Sequence, residues 1–354
     1  MAYQAQTYMT QIDAINPDPL AMALAAQVIL EGGLVAFPTE TVYGLGANAL
    51  NVEAVERIFK AKDRPANDPI IIHIDALDQL KLIAVDVPDI AYQLAETYWP
   101  GALTLVLKRA DTVPDIVTAG QATVAVRMPS HPVAQTLLRQ AGVPIGAPSA
   151  NRFGRPSPTN ALHVMHDLDG RVDVILNAGM THIGVESTII DLTRPIPTML
   201  RPGGITFEAL RADLPSLAFR PRHLLDNEIA PAPGTLMKHY SPNAEVRVYQ
   251  GSGDRVWQVM RDDAQARLQD GQWVGIMVLD DEIMHFEGVR AHYVLLGKTK
   301  EAMAAHLFAG MRELDANESD VIMIRMPEQT GLGLAIYDRL QRAAEGKIIT
   351  VDAE

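Results

Sequence analysis

Between Leu214 and Ala244 the apolar patterning of the chain stops, and Pro215, Pro221, Pro231, Pro233 and Pro242 all fall in the gap. Proline fixes φ and removes a backbone donor, so neither a helix nor a central strand runs through such a stretch. The 354 residues therefore divide into a first domain at 1–215, a linker at 216–244 and a second domain at 245–354. With 48% hydrophobic residues the chain has the means to build a core without a disulfide or a metal. It has no cysteine, which excludes disulfides, thiolate zinc sites, iron–sulfur clusters and cysteine nucleophiles together.

The patterning on each side of the gap is of the α/β kind. Asp18 as N-cap, Pro19 at the first helical position and Gly32-Gly33 as a stop predict a helix over Asp18–Glu31. An apolar strand, Leu34–Phe37, follows, then a helix over Asn51–Ala61 with Val52, Val55, Ile58 and Phe59 on one face. Further strands are expected at Ile70–Ile74, Thr104–Leu107, Thr123–Arg127, Pro144–Ala147, Val172–Leu176, Ser187–Leu192 and Thr198–Arg201. Helices are expected at Pro88–Tyr98, Pro132–Ala141 and Thr159–Asp167. The order is mixed rather than strictly alternating, which predicts a mixed sheet. From Glu245 strands and helices alternate more simply, as in a small Rossmann-like α/β domain.

The net charge of −13 is shared almost evenly, −7 up to Ser216 and −6 after it. Neither half is a nucleic-acid binder by bulk charge, and aromatics are only 5%. No apolar run reaches membrane-span length, and Met1–Asn16 lacks the basic and apolar blocks of a signal peptide. A cytoplasmic protein with no membrane partner is expected.

No G-x-x-x-x-G-K-[ST] string and no G-x-S-x-G string occurs, so a P-loop and a hydrolase elbow are both absent. Gly251-Ser252-Gly253 lacks the third glycine of a dinucleotide fingerprint and reads as a strand-to-helix turn. Gly44-Leu45-Gly46 reads as a tight turn. Lys60, Lys62 and Arg64 crowd the end of a helix, where cations are favoured in any case. Pro65 ends that helix and a buried-type strand follows, so the cations also suit an anionic ligand. The loop Pro148–Pro158 gathers Ser149, Asn151, Arg152, Arg155 and Ser157, whose groups suit phosphate and ribose or simply cap turns. Thr39-Glu40-Thr41, Thr123, Arg127, Ser187-Thr188 and Arg201 sit at strand ends, where the ligand crevices of open sheets lie. His73, inside Ile70–Ile74, reads either as a core histidine or as a site residue, and has no partner at metal-ligand spacing.

Taken in order, Phe37–Leu45, Lys62-Asp63-Arg64-Pro65, Trp99-Pro100-Gly101, Val126–Pro129, Ser149-Ala150-Asn151 and Arg201-Pro202-Gly203 resemble the YrdC-like domain. Pro233-Gly234-Thr235, then His239-Tyr240-Ser241-Pro242 and a second α/β domain, resemble the two-domain threonylcarbamoyl-AMP synthase family. The resemblance implies a nucleotidyltransferase that makes L-threonylcarbamoyladenylate from L-threonine, bicarbonate and ATP and releases pyrophosphate. The product feeds the threonylcarbamoyl modification of the adenosine beside the anticodon in tRNAs reading A-starting codons. Downstream threonylcarbamoyl-transferase machinery is the implied partner, with tRNA or double-stranded RNA as a weaker candidate.

By the same resemblance Lys62, Arg64, Ser149 and Asn151 form the catalytic set. Thr39, His73, Arg127, Ala147 and Ser187 hold L-threonine, and Arg64, Asp68, Thr123, Ser149, Asn151, Ser157, Arg201 and Tyr240 hold ATP. Mg²⁺ is expected on the phosphates with few protein ligands. Where the family has x-Asp-Asn-Pro, this chain reads Ala66-Asn67-Asp68-Pro69, which sets a carboxylate where phosphates are expected. Carbamate and ATP are both anions, so a site that joins them must supply positive charge. Arg127 is assigned to the threonine carboxylate, Lys62 and Arg64 to the triphosphate and carbamate, and His73 with Thr39 to the threonine hydroxyl. Lys238–Pro242 is expected to act as a lid. A phosphate-backbone-binding module is the competing reading, opposed by the charge balance. A carbamoyl-transfer maturation factor, which also carries a YrdC-like domain, is opposed by the absence of cysteine.

Overall fold

The computed structural model describes residues 6–219, 232 and 240–351. They form two compact units: the described residues of Met1–Phe153 and Ser157–Leu236 make the first, and those of Gly154–Pro156 and Met237–Glu354 the second.

The first unit is built on one mixed sheet of 12 strands. These are β1 (Tyr8–Gln11), β2 (Val35–Phe37), β3 (Gly44–Asn48), β4 (Ile71–His73), β5 (Ala84–Val85), β6 (Leu103–Arg109), β7 (Thr123–Arg127), β8 (Ile145–Gly146), β9 (Val174–Asn177), β10 (Thr188–Asp191), β11 (Thr198–Arg201) and β12 (Ala218–Phe219). They lie in the order β1-β9-β2-β3-β8-β4-β7-β6-β10-β11-β12, with β5 on β6. β12 pairs with β11, so regular structure continues to Phe219. Of the expected linker, residues 220–231 and 233–239 lie outside the described residues, and with them Lys238 and His239 of the expected lid.

Two helices show how the sequence positions this sheet. Helix α1 (Pro19–Leu30) starts where expected, with the Asp18 carboxylate accepting from Ala21 N–H at 2.8 Å. Helix α2 (Val52–Lys62) is capped by Asn51 and ends at Asp63, whose φ of 53° turns the chain out of the helix. Its buried stripe is Ala54, Val55, Ile58, Phe59 and Lys62, and the spacing of three, four and seven puts Lys62 on the core side.

Alternation along the central strands gives the sheet two different faces. Ile72, Leu105, Leu107, Val124, Val126 and Ile190 enter the main core on one face. On the other, Ile71, Val106, Ala125 and Ile189 form a smaller apolar floor on which Ala232 packs.

Gly44-Leu45-Gly46 is not the tight turn its composition suggests. It lies in β3, antiparallel to β2. The glycine is there for closeness: a Cβ on Gly46 would lie 2.7 Å from the Phe37 ring and 2.8 Å from Ile145 Cγ2. β1 was not foreseen either, because all its residues are exposed and leave no alternation to read.

The second unit holds a parallel sheet of 5 strands: β13 (Glu245–Gln250), β14 (Val274–Val278), β15 (His292–Leu295), β16 (Val321–Arg325) and β17 (Ile348–Thr350), in the order β15-β14-β16-β13-β17. Gly251-Ser252-Gly253 is the strand-to-helix turn expected, with Gly253 at φ 70° capping the helix Asp254–Gln269. No described helix is long and apolar enough to cross a membrane.

Candidate active site

Register brings three candidate residues of the first unit, His73, Arg127 and Arg201, to one end of their strands. His73, the last residue of β4, lies opposite Arg127, the last of β7. Arg127 lies opposite Thr104 near the start of β6, and Thr104 lies opposite Ile189 on β10. Ile189 in turn lies opposite Arg201, the last residue of β11. Opposed residues share a face, so His73, Arg127, Thr104 and Arg201 border the apolar floor, with Ile189 of the floor itself between Thr104 and Arg201. Thr123 is on the same face at the other end of β7, about 13 Å from Arg127 at 3.3 Å per residue. A small cavity there is lined by Pro69, Thr118, Gln121, Thr123 and Ala232.

Lys60 and Lys62 have opposite fates. The Lys60 side chain is 78% exposed, the solvated helix-end cation that its position alone suggests. Lys62 is 1% exposed, and its ammonium donates to the carbonyls of Ser149 and Asn151, both at 2.5 Å. A buried ammonium needs such acceptors, since leaving it unpaired is prohibitively costly. The loop that carries them is itself anchored: Leu45 N–H donates to Pro148 O, Ala150 N–H to Tyr43 O and Phe153 N–H to Lys62 O. Helix α2, β3 and the Ser149–Asn151 loop therefore form one connected structure. The Asn151 amide donates to Arg152 O at 2.8 Å.

Arg64 is buried against Asp68. Its guanidinium lies 2.8 Å from the Asp68 carboxylate, and it donates to Asp68 O and Pro69 O. The carboxylate that replaces the family's asparagine is thus matched by a fixed cation.

Arg127 donates Nε–H to Gly101 O at 3.1 Å, Nη1–H to Thr41 Oγ1 at 3.0 Å and Nη2–H to Glu40 Oε1 at 2.7 Å. His73 is 3% exposed, with no hydrogen-bond partner on Nδ1. Burial first, and the Arg127 charge second, push its pKa down to about 3, so the imidazole is neutral at physiological pH. Thr39 stands two residues before Thr41, and its hydroxyl donates to Val42 O and accepts from the N–H groups of Thr41 and Val42. Ala147 is buried and donates its N–H to Ile71 O, which fixes the chain beside β4.

Ser187 links two neighbours. Its hydroxyl is 2.7 Å from Thr104 Oγ1 and 3.2 Å from Arg201 Nη2, which also donates to Ser187 O. Ser157 is fully buried and donates to Glu186 at 2.5 Å. Glu40, Thr104 and Glu186 escaped the sequence reading as site residues. Glu40 stood within a noted polar string, but nothing in the pattern separates Thr104 from an ordinary strand threonine. Tyr240 belongs to the second unit, where its buried ring stacks on Phe308 at 5.2 Å under the Arg339 guanidinium.

No group of three or more histidines and acids that could hold a metal occurs among the described residues. The acids around the site are engaged with Arg64, Arg127 and Ser157. This donor set suits fixed cations and polar anchors rather than a protein-held ion.

Comparison with known proteins gives a consistent picture. A family model described as "Telomere recombination" (Sua5, YciO and YrdC) matches residues 27–203. One described as "Threonylcarbamoyl-AMP synthase, C-terminal domain" matches residues 205–345. The chain is 44% identical over 329 residues to threonylcarbamoyl-AMP synthase of Pyrococcus abyssi, covering 93% of this chain and 95% of that protein. It is 41% identical over 338 residues to the Bacillus subtilis enzyme of the same name, covering 95% and 96%. Among solved structures, P. abyssi Sua5 complexed with L-threonine superposes with a TM-score of 0.91 at 41% identity, covering 98% of this chain and 99% of that one. A double variant of P. abyssi Sua5 gives a TM-score of 0.92 with 99% of each chain covered.

Proposed function

Since the chain belongs to the threonylcarbamoyl-AMP synthase family and is an enzyme of the nucleotidyltransferase type, we propose that it joins L-threonine, bicarbonate and ATP into L-threonylcarbamoyladenylate. The observation that carries this reading is the apolar floor Ile71, Val106, Ala125 and Ile189, bordered at one end by Thr123 and at the other by Arg127, His73 and Arg201. An adenosine that takes the place Ala232 now covers on that floor has its base near Thr123 and its phosphates toward the buried cations.

The chemistry follows from charge. Bicarbonate takes up one proton and gives CO₂ and water; the neutral amine of threonine adds to that CO₂, forming an N–C bond and releasing one N–H proton to solvent. A carbamate oxygen then attacks the α-phosphorus, and the bond to the pyrophosphate leaving group breaks. Nucleophile and electrophile repel one another, so the site contributes fixed positive charge and alignment rather than a covalent nucleophile. Arg127 takes the threonine carboxylate. Its guanidinium has five N–H donors, of which three are occupied within the protein, leaving two for a two-point contact. The unpartnered Nδ1 of neutral His73 takes the threonine hydroxyl, with Thr39, whose hydroxyl also closes its own turn, beside it on the threonine side. Ala147 and Ser187 complete the threonine side. Lys62 and Arg64, with Ser149, Asn151, Ser157 and Arg201, hold the triphosphate and the developing charge. Mg²⁺ enters as the counter-ion of ATP, part of the substrate, and no step rests on a protein-held metal.

The product is a reactive mixed anhydride made for transfer to a tRNA adenosine by downstream threonylcarbamoyl-transferase machinery in the cytoplasm. Pyrophosphate release measured with each of the twenty amino acids, with and without bicarbonate, tests the reading. It expects release with threonine and bicarbonate together, and it fails if threonine gives none.

A further inference from the structure

A free guanidinium samples many rotamers on its long stem, and holding it to one costs entropy. Arg127 reaches the site already held, and the group that holds it most strongly is Glu40. One Glu40 oxygen accepts from Arg127 Nη2 at 2.7 Å, and the other accepts from the Ser130 backbone N–H at 3.1 Å. Both residues are more than nine-tenths buried, at 8% and 4% exposure. Glu40 is itself carried on a braced loop. Thr39 closes the turn, Ile183 N–H donates to Glu40 O, and Gly184 N–H donates to Thr41 O. The same loop delivers Thr41 Oγ1 to Arg127 Nη1.

A buried ion pair is a poor device for stability, since apolar residues of similar size do as well or better. It is a good device for fixing a direction. We infer that Glu40 is a positioning residue: it locks Arg127 so that the two remaining N–H donors face one substrate carboxylate, which makes Glu40 a determinant of threonine affinity. This deepens the reading above and rests on it. Glu40 acts through Arg127, so its removal affects the amino-acid side of the reaction and leaves the nucleotide side alone.

The test is steady-state pyrophosphate release and calorimetric threonine binding on the full chain, for Glu40→Gln, Glu40→Asp, Arg127→Lys and the double variant Glu40→Gln/Arg127→Lys. The glutamine keeps the shape, but its NH₂ must face either Ser130 N–H or Arg127, donor against donor. KM and Kd for threonine are expected to rise about tenfold, the size of one lost charge-assisted hydrogen bond. KM for ATP is expected to stay within about twofold of the parent by the same argument. Glu40→Asp keeps the charge but is one methylene short, and is expected to recover part of the loss. The two single effects are expected to be non-additive, because both act on one contact. Unchanged threonine affinity in Glu40→Gln overturns the inference, whether or not its Tm falls. So do equal rises in both KM values, or additive effects in the double variant. If the parent itself releases no pyrophosphate with threonine, the functional reading fails instead, and the two failures are thereby told apart.

Discussion

The guanidinium of Arg64 lies 2.8 Å from the carboxylate of Asp68, with side-chain exposures of 3% and 0%. The pair explains how a carboxylate is tolerated where phosphates are proposed to bind: its charge is met by Arg64 within the protein. Substituting Asp68→Asn removes the carboxylate 2.8 Å from a buried arginine that keeps its carbonyl acceptors. The apo protein is expected to lose roughly 3–5 kcal/mol of stability, the scale of breaking a buried ion pair by removing one partner. ATP supplies the missing anion, so the rise in Tm on adding ATP is expected to be larger in Asp68→Asn than in the parent. Equal shifts in a thermal melt contradict the pairing.

His73 predicts a pH dependence of stability. Its folded pKa is about 3 and its ordinary value 6.5. Between those values the unfolded chain binds the extra proton, so this residue makes stability rise with pH across the window. The contribution is fully present above 6.5 and is lost as the pH falls towards 3. One proton corresponds to a slope of up to about 1.4 kcal/mol per pH unit. Urea unfolding of His73→Gln is expected to give a shallower slope between these limits than the parent. An unchanged slope shows that His73 is not the titrating group.

The hydroxyl of Thr104 tests the link across the sheet. In Thr104→Val the Ser187 hydroxyl loses its partner at 2.7 Å and keeps only the longer contact with Arg201 at 3.2 Å. A lost hydrogen bond of about 1 kcal/mol lowers kcat/KM for threonine roughly fivefold. Activity equal to the parent shows that Ser187 is placed by its backbone alone.

Much of the site was legible because strand periodicity is local. Thr123, Ala125 and Arg127 alternate on one strand, and the two polar residues flank the apolar one. Lys62 was legible in principle, since it continues the stripe of Val55, Ile58 and Phe59, but its acceptors lie 87 and 89 residues away. A charge read locally at a helix end looks solvated, and only long-range pairing shows otherwise. Glu40 and Arg127 are likewise 87 residues apart. Gly44-Leu45-Gly46 misled for a different reason. Gly46 serves close packing against Phe37 and Ile145 rather than a turn, and composition does not distinguish the two uses.

Serine probes the threonine pocket. It keeps the hydroxyl that His73 is proposed to bind and lacks only the methyl group. A missing methyl is worth about 1–3 kcal/mol, so kcat/KM for serine is expected to fall about ten- to two-hundredfold below threonine while remaining measurable. Alanine, which lacks the hydroxyl as well, is expected to fall much further. Serine matching threonine, or giving no turnover at saturation, contradicts this pocket.

The central claim is that buried cations let two anions meet at the α-phosphorus of ATP. The direct measurement is threonine- and bicarbonate-dependent pyrophosphate release by Lys62→Met, Lys62→Ala and Arg64→Ala, each checked by circular dichroism to be folded. The account predicts a loss of about a hundredfold or more in kcat, the scale of removing one fixed donor from developing charge. Folded variants that turn over as fast as the parent contradict it.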